Sequence, residues 1–403
     1  MTRSLPPRAP AGLDADLAVR LAELESEGLR RTLRRVDSGQ GVLVESGGRA
    51  LVNFSSNDYL GLAGEAFLAE AARKAIERFG MGSGASRLIS GSLAPHAELE
   101  EALARWKGVQ AALAFSSGYS AALGVFGAIV GKGDVVILDK LCHACIVDGA
   151  RLSGAVLRVF PHNNLERLED LLKWARLKHP QGRVLVATES VFSMDGDLAP
   201  LEEMVALKER FGAWLFVDEA HAGGVLGRHG AGLVQKMGMT GRVEIQMGTL
   251  GKALGSAGGY ICGSRTLVDW LLNRARAFVF STAPPPSVAL AGAAAVAWMS
   301  SARAETRRRA LWERIRLLER VRGARVLSAI APVPVGDAKR ALQLGARLAE
   351  AGFWVPAIRY PTVPKGTARL RISLSAQHRE EQILSMVEVL QKEEAILNES
   401  KNS

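Results

Sequence analysis

Gly248-Thr249-Leu250-Gly251-Lys252-Ala253-Leu254-Gly255 is a glycine-rich turn with a lysine at its centre, and upstream of it lies the strand-like step Val217-Asp218-Glu219-Ala220-His221. A lysine held in such a turn can form a Schiff base, and a carboxylate at a strand end can keep a pyridine nitrogen protonated. Together the two residues point to pyridoxal phosphate, whose ring then acts as an electron sink. The turn is not a nucleotide P-loop, because the spacing is wrong and no Ser or Thr follows Lys252. Nor does Gly82-Ser83-Gly84-Ala85-Ser86-Arg87 complete G-x-G-x-x-G, since its third glycine is missing.

Around this pair, short β-rich runs alternate with helical patterns. The runs are Ala111 to Phe115, Val135 to Leu138, Val156 to Phe160, Val184 to Thr188, Trp214 to Val217, Ile245 to Met247 and Gly259 to Cys262. The alternation predicts an α/β fold with a mostly parallel seven-stranded sheet covered by helices on both faces. In open sheets of this kind the ligand crevice forms at the carboxyl ends of the strands, where Ser117-Gly118, Asp218 and Lys252 fall. Residues 13 to 35 read as a charged amphipathic helix, with Leu17, Leu21, Leu24 and Leu29 on one face. Ala50 to Phe54 reads as a short strand, followed by turn chemistry in Ser55-Ser56-Asn57-Asp58-Tyr59-Leu60-Gly61. Beyond an alanine-rich helix around Val288 to Met299 the chain restarts as a smaller α+β unit, with helices near 306 to 321 and 337 to 351. The expected division is an N-terminal arm over 1–50, a large domain over 51–290 and a C-terminal α+β domain over 291–403. The Pro/Ala-rich first dozen residues are expected to be mobile.

At 403 residues and 48% hydrophobic content the chain can build two cores. Three cysteines are too few for a disulfide framework, and Cys142-His143-Ala144-Cys145 has no second pair with which to hold zinc, so no metal is expected. No run approaches the roughly 18 to 20 apolar residues of a membrane span, and the start lacks the apolar core of a secretory signal. A cytoplasmic protein with no membrane partner is the expectation. The net charge of +10 gathers in runs such as Arg307-Arg308-Arg309 and Arg316 to Arg325, which alternate with Leu, Ile and Val as exposed helix faces do. This pattern argues against a nucleic-acid partner, although a phosphate-rich substrate would profit from the field.

Four further sites carry chemistry. Ser116-Ser117-Gly118-Tyr119-Ser120 links a strand to a helix, so the amides of Gly118 and Tyr119 can meet an anion at the helix's positive end. His143 follows the strand Val135 to Leu138 among small residues, where a flat imidazole can stack on a planar ring. The spacing Asp218-x-x-His221 brings carboxylate and imidazole to the same crevice. Gly366-Thr367-Ala368-Arg369-Leu370-Arg371-Ile372-Ser373 alternates as a half-buried strand, placing Arg369 and Arg371 on one face, and one of them can hold a carboxylate bidentately.

These residues resemble the α-oxoamine synthases, pyridoxal-phosphate enzymes that condense an amino acid with an acyl thioester and release carbon dioxide. The likeness spans nearly the whole chain. It runs through Asn53 to Gly61, Gly82-Ser83-Gly84, Val191-Phe192-Ser193-Met194-Asp195-Gly196-Asp197, the Asp218 to His221 step, the Lys252 turn and Phe280-Ser281-Thr282-Ala283-Pro284-Pro285. It implies the fold type I (aspartate aminotransferase-like) architecture and pyridoxal 5'-phosphate bound by Lys252, with Lys252 then serving as acid and base. By the same resemblance Asp218 pairs with the pyridine nitrogen, His143 stacks on the ring, and His221 and Ser193 contact the phenolic oxygen side. Gly118, Tyr119 and Thr249 would hold the phosphate region together with Ser281 and Thr282 of a neighbouring subunit, which implies a homodimer with shared sites. Asn57 and Arg371 would hold the amino acid's carboxylate, Thr362 would lie near the substrate, and Arg30 would approach the acyl group.

The C-terminal stretch Trp354 to Arg371 carries the resemblance toward members that take L-alanine and a pimeloyl thioester. Sister condensations of glycine or serine with other acyl-CoA donors differ in the substrate pocket alone. An aminotransferase or a lyase on the same fold would use the same lysine and aspartate. The chain departs from the family pattern at Tyr119, where Phe is usual, and at Glu219, where a second Asp is common.

Overall fold

Alternate residues of the central strands feed two separate cores. Val135 and Ile137, Val184 and Val186, and Leu215 and Val217 pack on one side of the sheet, whereas Val136 and Leu138, Leu185 and Ala187, and Phe216 pack on the other. A strand's side chains alternate across the sheet, so near-continuous apolar runs are what burial on both faces demands. Each such Val or Leu contributes roughly 1.5–3 kcal/mol on full burial.

The computed structural model describes residues 12–399. The seven-stranded sheet runs in the order Ala111–Phe115, Gly259–Gly263, Ile245–Thr249, Trp214–Asp218, Val184–Glu189, Val135–Asp139, Val156–Phe160. Only Gly259–Gly263 runs antiparallel to its neighbours, and the other pairings are parallel. A mostly parallel seven-stranded sheet is what the alternation of runs led us to expect.

Two small sheets flank the large one. Ile330–Gly336, Ala368–Ser373 and Ala357–Ile358 form an antiparallel sheet backed by the helix Ala338–Glu350; Glu380–Glu399 packs against that helix and against Ala302–Arg322. Leu43–Ser46 and Arg49–Asn53 form a hairpin closed by Gly47 and Gly48 at φ 58° and 72°, a two-residue turn that needs positive φ at both positions. Phe353–Trp354 adds to this hairpin in parallel. The hairpin therefore straddles residue 51 and is completed by the C-terminal part of the chain.

The N-terminal helix is shorter than the leucine spacing predicted. It spans Leu13–Ser26, because Gly28 takes φ 67° and the N–H groups of Leu29 and Arg30 fold back on the Leu24 carbonyl at 2.7 and 3.0 Å. None of its residues is buried. The Pro/Ala-rich start, residues 1–11, lies outside the described residues. Among the described residues no helix is long and apolar enough to cross a membrane.

Candidate active site

Five strands of the large sheet deliver their carboxyl ends to one crevice. Phe115 leads to Ser117-Gly118, Asp139 to His143, Glu189 to Ser193, Asp218 to His221, and Thr249 to Lys252. The parallel register puts Glu189 directly beside Asp218. From the C-terminal sheet, Arg371 reaches the same place, because Ser373 N–H bonds the Phe54 carbonyl and Ala376 N–H bonds the Tyr59 carbonyl, both at 2.8 Å.

A continuous hydrogen-bonded chain runs through the centre. Lys252 Nζ lies 2.7 Å from His221 Nε2, and His221 Nδ1 lies 2.6 Å from the hydroxyl of the fully buried Tyr59. That hydroxyl is 3.1 Å from Asn57 Oδ1, which also accepts from Arg371 Nη2 at 3.1 Å. Burial, then the positive neighbours Lys252 and Arg371, hold His221 well below its ordinary pKa, so the ring is neutral. One assignment satisfies every group: Lys252 donates to Nε2, Nδ1–H donates to Tyr59, and Tyr59 donates to Asn57. Arg371 Nε further donates to the Ser193 carbonyl at 2.7 Å and Nη1 to Ser373 Oγ at 2.6 Å, fixing the plane of its fork.

The electrostatics suit a lysine that must shed its proton. Burial lowers the Lys252 amine, while Asp218 and Glu189 hold back part of that shift. Burial likewise raises Asp218, against the pull of Lys252, the Ala220 N–H and His143. Glu189 is pushed up to about 8, by burial first and then by the Asp218 charge. His143 caps the helix Ala144–Leu152, accepting from Cys145 N–H at 3.2 Å; desolvation lowers it, and it lies near the charges of Asp218 and Lys252.

The residues present fit pyridoxal phosphate. Ser117 caps the 12-residue helix Gly118–Ile129 by accepting from Ser120 N–H. Among the described residues, the amides of Gly118 and Tyr119 make no hydrogen bond, so two donors at a positive helix end stand ready for a phosphate. Thr249 lies against Gly118, its Cβ 3.8 Å from where a Gly118 Cβ would be. Glu189 Oε1 is buried without a partner, as an atom facing a polar ligand would be.

Two expectations change. The strand Ala368–Ser373 is buried along almost its whole length rather than half-buried, and its two arginines serve different purposes. Arg369 is taken by Asp195 at 2.5 Å, whereas Arg371 joins the Lys252 cluster through Asn57. Glu219 points away from the crevice into an ion pair with the fully buried Lys107, and it also accepts from Val234 N–H.

The structure does not bring every candidate to the centre. Arg31 Nη2 donates to Thr362 Oγ1 at 3.1 Å and Arg359 donates to the Arg30 carbonyl at 2.8 Å, so Thr362 lies on the loop against which the segment of Arg30 and Arg31 docks. Among the described residues neither bonds to the Lys252 cluster. Ser281 and Thr282 lie in the loop before the helix Pro286–Trp298, where Thr282 bridges Ser86. Tyr59 and Glu189 were not singled out in the sequence. Glu189 carried the same signal as Asp218, a carboxylate ending a parallel strand, whereas nothing local marked Tyr59.

Comparison with known proteins gives the family. The family model of aminotransferase classes I and II matches residues 49–390. The chain belongs to that family. Its curated relatives include the 8-amino-7-oxononanoate synthase of Anaeromyxobacter dehalogenans, 51% identical over 91% of this chain and 92% of the relative. The 8-amino-7-oxononanoate synthase of Geobacter sulfurreducens is 48% identical over 90% and 94%. Among solved structures, a serine palmitoyltransferase of S. paucimobilis with bound PLP and myriocin superposes with a TM-score of 0.90 at 29% identity, covering 96% of this chain and all of that one. The α-oxoamine synthase resemblance therefore holds, and pyridoxal phosphate is the cofactor.

Proposed function

We propose that this chain is an 8-amino-7-oxononanoate synthase of biotin synthesis, joining L-alanine to a pimeloyl thioester with loss of carbon dioxide and the free thiol carrier. The observation that carries this reading is the Lys252–His221–Tyr59–Asn57–Arg371 chain, which sets a basic amine and a carboxylate fork at the two ends of one crevice. The names of the relatives support the choice of substrates.

When bound, pyridoxal phosphate supplies an aldehyde for an amine and a protonated ring that takes up an electron pair. Asp218 would hold the pyridine nitrogen's proton, and Gly118, Tyr119 and Thr249 would hold the phosphate. Arg371 and Asn57 would orient the alanine carboxylate, and with it the α-carbon's proton toward Lys252. Lys252 Nζ takes the α-proton, and His221 Nε2 aligns that amine. A carbon–carbon bond would then form between the α-carbon and the thioester carbonyl as the carbon–sulfur bond breaks and the thiolate leaves; the original carboxylate would leave as carbon dioxide, and Lys252 Nζ would return a proton to the α-carbon. Arg30 on the arm and Thr362 on the loop beside it would approach the acyl chain.

The reading includes a homodimer with shared sites. Met81, Leu88, Ile89 and Phe280 are exposed at 67, 45, 80 and 71% around the Ser86–Thr282 bridge. An apolar surface of this kind favours a covering partner, to which Ser281 and Thr282 would then be presented. Three free, buried cysteines suit the reducing cytoplasm.

The test is release of thiol and carbon dioxide from pimeloyl-CoA with L-alanine, beside glycine with acetyl-CoA and serine with palmitoyl-CoA. Turnover with the alanine pair alone is the expected result. Turnover with either other pair instead would keep the chemistry and overturn the substrates.

A further inference from the structure

The basic runs noted in the sequence divide in the fold into two sets. Arg307 and Arg308 turn inward: Arg307 donates to the Leu60 carbonyl at 2.8 Å and pairs with Glu65, while Arg308 pairs with Glu305 and donates to the Met299 carbonyl. Arg309 and Arg316 face a cavity of about 680 Å³, lined on its other side by Arg228, His229 and Lys236; the paired Arg308 also forms part of its wall. Among the described residues Arg228, Lys236, Arg309 and Arg316 form no ion pair. The one carboxylate lining the cavity, Glu305, is already engaged by Arg308.

Four unneutralised cations around one concavity repel one another and concentrate a positive potential there, which an anion would relieve. Arg309 and Arg316 are seven residues apart on one helix, about 10.5 Å along its axis, so the cavity can meet more than one phosphate. Trp312 lies between them, one turn from each, and its indole N–H is tied to the Val225 carbonyl at 3.4 Å. On the facing wall His229 holds φ 54°, a left-handed backbone kept by Trp106, whose indole N–H donates to the His229 carbonyl at 2.9 Å. Strain of that sort gathers at binding loops. The volume is that of a small-molecule site.

We propose that this cavity binds a nucleotide carrying several phosphates, with the base stacked on Trp312 and the phosphates held by Arg228, Lys236, Arg309 and Arg316. Two sources share that chemistry: the nucleotide end of a coenzyme A thioester, or a free nucleoside polyphosphate. The first source rests on the function proposed above, and the site itself does not.

The test titrates the holoenzyme calorimetrically with coenzyme A and with ATP, at low and high salt. It compares wild type with the pairs Arg309→Gln/Arg316→Gln and Arg228→Gln/Lys236→Gln, and with the charge-keeping pair Arg309→Lys/Arg316→Lys. Salt-sensitive binding that weakens at least about tenfold in both glutamine pairs and returns in the lysine pair is the expected result. A pimeloyl-CoA KM that rises with it, at unchanged kcat and alanine KM, assigns the site to the donor's coenzyme A. ATP binding with an unchanged pimeloyl-CoA KM assigns it to a free nucleotide. No binding of either compound at millimolar concentration, or equal binding by wild type and the glutamine pairs, overturns the proposal. A wild type that binds nucleotide through these residues yet does not turn over alanine and pimeloyl-CoA would refute the proposed function and leave this site standing.

Discussion

Tyr59 Oη sits 2.6 Å from His221 Nδ1, and the opposite nitrogen of that ring sits 2.7 Å from Lys252 Nζ. The tyrosine comes from the turn after the N-terminal hairpin, the histidine from the end of a central strand and the lysine from the glycine-rich turn. Three separate stretches of chain thus fix one proton's position. Tyr59→Phe should leave His221 Nδ1–H buried without an acceptor, costing about 1–3 kcal/mol of stability. Urea unfolding measures that loss, and a lower kcat at unchanged pimeloyl-CoA KM would show that the ring also aligns the lysine.

Arg371 is the arginine of its strand that reaches the Lys252 cluster, since Arg369 is bound to Asp195. Arg371→Lys keeps the charge and loses the planar fork. The alanine KM should rise so that kcat/KM falls roughly 10- to 100-fold, with the thioester KM unchanged. Equal loss toward both substrates would place the arginine elsewhere in the reaction.

Glu189 gives a pH signature in the cofactor-free protein. Its carboxyl is raised to about 8 in the folded chain by burial and by Asp218, from 4.5 in the ordinary range. The unfolded chain therefore releases this proton first. Folded-state stability from this group is complete below pH 4.5 and is lost as pH rises toward 8. Glu189→Gln should flatten the fall in stability between pH 6 and pH 8, measured by denaturant unfolding at each pH. The groups facing Glu189 are Asp218, Lys252, Cys142 and Cys145, so the same scan on Asp218→Asn separates their shares. A glutamine variant with the wild-type slope would refute the assignment.

Phe280 is 71% exposed next to Ser281 and Thr282. A charge placed there should weaken the proposed dimer without touching the fold of the single chain. Phe280→Glu is expected to shift the protein toward monomer by light scattering and to weaken cofactor retention with it. A variant that stays dimeric and keeps its cofactor would remove this surface from the interface.

The α/β fold was legible because both signals it needs are local: apolar runs of strand length, and carboxylate, lysine or glycine residues at their ends. Asp218, Lys252 and Gly118 share that signature, and the structure gathers them. Tyr59 was hidden because its role depends on the C-terminal sheet seating the Asn53 to Gly61 turn, a contact across more than 300 residues. The N-terminal helix ran too long in the sequence reading because leucine spacing persists past Gly28, whereas backbone conformation ends it there. The hairpin closed by Gly47-Gly48 had a local signal in that dipeptide. The strand bearing Arg369 and Arg371 was read as half-buried because alternating charges usually mark a solvent face. Here one charge is paired to Asp195 and the other is buried in the crevice.

Lys252 is the residue on which the account turns, so the most direct measurement traps the cofactor on it. Borohydride reduction of the holoenzyme, followed by digestion and mass mapping, should place the pyridoxyl group on the peptide containing Lys252. Lys252→Ala should carry no adduct and should release carbon dioxide from alanine and pimeloyl-CoA at least ~10³-fold more slowly. An adduct on another lysine, or an alanine variant turning over near the wild-type rate, would contradict the account.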